Sequence, residues 1–109
     1  MEWRRVMQFD VFANPIAAAH RHYPYVVILQ SDFVDGGREQ IVAPLVPRKS
    51  LPAIAGRLTP IVALESSEFV VLVPALAGVR RHDLRVRVAS LAGARTEVLA
   101  AVDLLFFGV

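Results

Sequence analysis

A chain of 109 residues with 55% hydrophobic side chains is long enough to bury one core and too apolar to stay disordered. It holds no cysteine, which excludes a disulfide framework, a CxxC zinc site and a thiol nucleophile, and its net charge of +2 is too small to name a partner. The longest apolar stretch, residues 69–79, is interrupted by Pro74 and too short for a bilayer helix; no apolar run follows Met1, so no leader is expected and the cytoplasm is the expected location.

Short runs rich in Val, Ile, Tyr and Phe, separated by turn residues, fill the first ninety positions and predict an antiparallel β domain. In chain order the expected strands cover residues 8–13, 25–30, 40–45, 61–64, 69–73 and 84–89. Residues 14–24, with His20 and His22, form a long loop. Asp35-Gly36-Gly37 predicts a turn, residues 47–60 with three prolines and Gly56 a long connection, and Glu65-Ser66-Ser67-Glu68 a polar hairpin link. Ser90 is the expected N-cap of a closing helix that starts at about Leu91, with Gly93 weakening its first turns.

That helix carries the most informative stretch, Val98-Leu99-Ala100-Ala101-Val102-Asp103-Leu104-Leu105-Phe106-Phe107, before Gly108-Val109. On a 3.6-residue period Val98, Val102, Leu105 and Phe106 form one stripe that is expected to face the core. Asp103, Phe106 and Phe107 are i, i+3 and i+4 neighbours along its edge, a candidate contact surface. An anion near a helix C-terminus is disfavoured by roughly 0.3–1 kcal/mol, so helix stability does not account for Asp103.

Residues for catalysis do not assemble in the sequence. His20 and His22 are a close pair on a loop and read as solvated rather than as metal ligands. No GxSxG elbow, Walker loop or GxGxxG loop is present, and Asp32 and Asp35 flank a Gly-Gly turn where aspartate serves local hydrogen bonding. Arg80, Arg81, Arg85 and Arg87 crowd around His82 and offer a rival reading, a small β-barrel nucleic-acid binder, although no aromatics interleave with them and Asp83 sits among them. These observations point away from an enzyme and toward a protein that acts by binding, with no cofactor and no metal.

Several segments together resemble the CcdB family of bacterial toxins: Met7-Gln8-Phe9-Asp10-Val11-Phe12, Gln30-Ser31-Asp32-Phe33-Val34-Asp35, Val42-Ala43-Pro44-Leu45, Leu58-Thr59-Pro60 and Asp103-Leu104-Leu105-Phe106-Phe107-Gly108-Val109. Their order and spacing make the match fairly specific. The family's toxin begins where Met7 stands, so the resemblance implies one toxin domain over residues 7–109 and makes residues 1–6 an extension or a mis-assigned start. It further implies a mainly β (α+β) fold, a small antiparallel sheet with SH3-like barrel character and a single C-terminal α-helix, assembled as a homodimer.

The implied function is the toxin of a type II toxin–antitoxin system that poisons DNA gyrase, binding its A subunit to trap the cleaved DNA complex, without catalysis by the toxin. The implied partners are the A subunit of DNA gyrase and a CcdA-like antitoxin, whose C-terminal segment wraps the dimer and which helps repress the shared operon. DNA is met only through gyrase or the antitoxin complex. The gyrase-contacting positions carried over are Phe33, Val34, Asp103, Phe106, Phe107, Gly108 and Val109. Phe107 stands where the best-known toxin of the family has Trp, Asp103 where it has Asn, and Phe33-Val34 where it has Ile-Ile, so a CcdB-like protein with an altered target that keeps antitoxin binding is the alternative.

Overall fold

The computed structural model describes residues 6–34, 37–51 and 56–109. The seven strands are β1 (Asp10–Ala13), β2 (Tyr25–Ile28), β3 (Glu39–Pro47), β4 (Ile61–Leu64), β5 (Ser67–Val71), β6 (Ala77–Arg80) and β7 (Arg87–Ser90), followed by one helix, α1 (Arg95–Phe107). They form a curled antiparallel half-barrel in the order β4-β5-β3-β2-β1-β7, with β6 also paired to β3. The expected mainly β fold with a single C-terminal helix is what the chain adopts.

β3 organises this sheet because it is long enough to serve two neighbours on one side: residues 39–42 pair with β6 and residues 45–47 with β5. Pro44 stands at the fork. It has no N–H to give, and its carbonyl accepts the Leu72 N–H at 2.9 Å, so the ladder splits where a donor is missing anyway. β1 and β2 lie deep in the sheet and are apolar on both faces. Val11 and Val27 join the larger core, with Phe9, Leu45, Val71, Val73, Leu91, Val98 and Ala101, beneath α1. Phe12, Val26 and Ile28 join a second cluster with Val42 and Leu84 inside the curl. Burial on both faces explains why these strands read as unbroken apolar runs.

The ends of β2, β3 and β5 shift by one or two residues from expectation, and four larger differences have physical causes. β1 starts at Asp10 rather than residue 8 because Phe9 has φ 72°, a left-handed conformation that breaks the extended run. Its N–H donates to Ile28 O and its carbonyl accepts from Leu91 N–H, both at 2.8 Å, and the Arg95 guanidinium lies 5.6 Å from its buried ring. That bond from Leu91 also explains why no helix begins there: Leu91 is pinned to the sheet. Ser90 Oγ instead accepts the Ala92 N–H at 3.2 Å and caps a single 3₁₀ turn over Ala92–Ala94, and α1 starts only at Arg95 with no side-chain cap. β7 is shorter than the expected strand 84–89, since Leu84 plugs the second core after a 3₁₀ turn and the β1–β7 register shifts between Val11 and Phe12. β6 was not expected at all: Ala77-Gly78-Val79-Arg80 is mostly exposed and carries no strong apolar alternation.

The helix corrects the expected stripe. Val98 and Ala101 are fully buried, and Ala94, Leu99, Val102 and Leu105 pack against the core, but Phe106 is 59% exposed. At 100° per residue Leu105 lies about 20° from Val98 around the helix and takes the inward position, while Phe106, about 80° away and past the last residue packed on the core, takes the rim.

Ile61–Leu64 is the expected strand, but the polar link is shorter than the expected Glu65-Ser66-Ser67-Glu68, since Ser67 and Glu68 already pair within β5. Leu64 pairs with Ser67, leaving Glu65 and Ser66 as a two-residue turn with φ 51° and 71°. Positive φ at both positions is the hairpin geometry that matches strand twist, and it favours Asn-Gly rather than Glu-Ser. Ser66→Gly should therefore raise stability by about 1 kcal/mol and the melting temperature by about 4–8 °C in a chain of this size. An unchanged melting curve would show that this turn stores no strain.

Candidate functional site

Two groups of apolar side chains stand clear of both cores. The first is the turn after β2. Val34 N–H donates to Ser31 O at 3.0 Å and Phe33 N–H to Ser31 Oγ at 3.1 Å, closing a tight turn over residues 31–34. Gln30 braces it from both sides, Oε1 accepting the Ile41 N–H and Nε2 donating to Val34 O, each at 3.2 Å. Asp32 Oδ1 accepts the Gln8 N–H at 2.7 Å, which ties the turn to the segment before β1 rather than capping the turn itself. The polar residues are thus spent on holding the backbone, and Phe33 is left 99% and Val34 56% exposed. Asp35 and Gly36 lie outside the described residues.

The second group is the end of α1. Gly108 takes φ 75° and its N–H donates to Leu104 O at 3.0 Å, a left-handed cap that suits a residue without Cβ. Beyond the last packed residue, Leu105, the side chains of Phe107 and Val109 are 75% and 77% exposed, and Asp103 is exposed on the same outward side, with no ion pair among the described residues. Each position singled out in the sequence is therefore at the surface. No hydrogen bond or ion pair joins the turn at Phe33 to the helix end among the described residues.

The long loop over residues 14–24 is ordered from its neck. Buried Asn14 donates through Nδ2 to Tyr23 O at 2.7 Å, accepts the Ile16 N–H on Oδ1 at 2.9 Å, and donates its backbone N–H to Pro24 O at 3.0 Å. His20 Nε2–H donates to Asn14 O, so this histidine is part of the loop's scaffold. Ile16 and Tyr23 are exposed at its surface. Across the molecule, Pro47, Arg48, Lys49, Ser67, Glu68 and Phe69 line an open cavity of about 630 Å³, with Arg48 Nη1 2.8 Å from Glu68 Oε1. The rest of the expected 47–60 connection is described only at residues 48–51 and 56–60 and holds no strand there.

Among the described residues no group of His, Asp and Glu is placed to hold a metal ion, and no helix is long and apolar enough to cross a membrane. Sequence reasoning missed the bracing roles of Gln8 and Gln30 and the fact that Asp32 serves another segment. A run of polar residues before an apolar pair was their only signal.

The fold and the surface define a small β half-barrel protein that displays apolar side chains on a tight turn and on a helix end. The chain belongs to the CcdB protein family, whose model matches residues 8–108. Membership makes it, broadly, the toxin of a toxin–antitoxin pair, from a family of toxins rather than catalysts. A comparison with curated proteins finds no match.

Proposed function

We propose that this chain poisons DNA gyrase by docking on its A subunit, holding the enzyme on cleaved DNA. The observation that supports this reading most is the exposure of Phe33, Phe106, Phe107 and Val109 at the positions the family resemblance marks for gyrase. Burying large apolar side chains against a partner supplies the binding energy that exposure forgoes, and aromatics dominate such interfaces. The chain works as a homodimer, which gathers two copies of the helix end and covers apolar surface that one copy leaves in water. The chain contributes contact area and shape, and the DNA chemistry is gyrase's own.

A CcdA-like antitoxin neutralises it by folding along the dimer. The loop with Ile16 and Tyr23 and the cavity between Arg48 and Phe69 supply apolar floors with polar rims, the surface that a disordered segment needs to order itself.

The test is direct. Purified chain added to gyrase, ATP and supercoiled plasmid should produce linear DNA after detergent and protease treatment, and the cognate antitoxin should reverse it. Plasmid that stays uncleaved at saturating toxin would overturn the gyrase assignment.

A further inference from the structure

The pairing of β3 with β6 brings together arginines that are far apart in sequence. Glu39 stands opposite Arg80, and the ladder continues one step further, where Arg81 N–H donates to Arg38 O at 2.6 Å. Arg38 and Arg81 are thus backbone neighbours just past the ends of β3 and β6, and both are exposed, as is Arg80 on the other face of the ladder. Like charges directly opposite in a sheet destabilise it.

No carboxylate among the described residues forms an ion pair with Arg38, Arg80 or Arg81. The Glu39 carboxylate leans over Gly78, with Oε1 2.9 Å from where a Cβ there would stand, and makes no ion pair with Arg80. Asp83 is taken by His82 Nε2 at 3.2 Å, and Asp10 by Arg87 Nη2 at 3.1 Å. The arginine at the other end of β3, Arg48, has its own carboxylate in Glu68. The exposed guanidiniums of Arg38 and Arg81, held on neighbouring backbones and without an ion pair among the described residues, form a donor set suited to oxyanions.

We propose that Arg38 and Arg81 form a binding site for backbone phosphates of duplex DNA, so that the chain touches DNA itself. Phosphates spaced along a strand would sit between these guanidiniums and turn their repulsion into attraction. The contact carries no base readout, since short loops and strand ends present only charge here, and it is therefore independent of sequence. This site goes beyond gyrase docking and does not depend on it.

The test uses the full chain with a short fluorescein-labelled duplex and reads anisotropy from about 50 to 200 mM salt. The parent should bind with a salt-dependent constant. Arg38→Ala/Arg81→Ala should weaken binding on the order of tenfold at the low end and reduce the slope of log K against log salt by about 2, one for each phosphate no longer held. Its melting temperature should stay level or rise, since a repulsive pair is removed. Arg48→Ala/Lys49→Ala removes the same number of cations from the far end of β3 and should leave affinity within about twofold. Absence of binding by the parent at low salt would overturn the proposal, and so would equal losses in the two double variants, which would mean diffuse charge and no site.

Discussion

A chain lacking Phe107, Gly108 and Val109 is expected to fold normally and to lose the proposed trapping of gyrase on cleaved DNA. The inward face of α1 is complete at Leu105, and deletion removes the last helical residue with its end-of-helix bond and the capping bond from Gly108 N–H to Leu104 O, each worth about 0.5–1.5 kcal/mol. The functional cost is larger. An aromatic at the centre of an interface contributes about 2 kcal/mol or more, roughly a thirtyfold loss of affinity for one side chain, and a homodimer loses it twice. Phe33→Ala at the turn provides a second route to the same loss, with no stability change expected because the ring touches water almost everywhere. Circular dichroism melts and the plasmid-cleavage assay report the two halves separately. If the truncated chain cleaves as well as the parent, the helix end plays no part in docking.

Removing the same side chain from two places should give opposite results. Phe12 is fully buried in the cluster with Val26, Ile28, Val42 and Leu84, and Phe12→Ala should cost about 3–5 kcal/mol through lost transfer energy and a residual cavity. The melting temperature then falls by roughly 12 °C or more. Phe106→Ala should cost less than about 1 kcal/mol, since over half of that residue is already in water. The comparison tests the rim position of Phe106 against the core position that helical spacing alone suggests. A loss at Phe106 as large as at Phe12 would restore the inward stripe.

Helical spacing misplaced Phe106 for a definite reason. The stripe Val98, Val102, Leu105 and Phe106 runs into the last turn of α1, where Phe106 stands past Leu105, the last residue that packs on the core, and small Ala101 fills the inward place that size alone would not have assigned to it. The strands were legible where side chains are buried on both faces or pair across a tight link, as in β2 and β4. β6 was not, because its residues are exposed and its existence depends on β3 being long enough to hold two partners. The edge formed by Asp103, Phe106 and Phe107 was legible from helical spacing, whereas Phe33, Val34, Gly108 and Val109 were legible only through family likeness, since an exposed apolar residue and a buried one have the same letter. The arginine corner needed the structure outright: Arg38 and Arg81 meet only because β3 and β6 run antiparallel.

Gly108 closes α1 after the helix has finished packing, and everything that projects beyond Leu105 answers to water and to a partner but to no residue of the core. Selection on folding and selection on target therefore act on different letters of this chain. On the proposed reading, a lineage whose gyrase changes shape could track it by altering residues 106, 107 and 109 one at a time, each step costing little stability. The same independence lets a toxin fall silent without unfolding, so a harmless descendant would still occupy its antitoxin and still look, in every buried position, like a weapon.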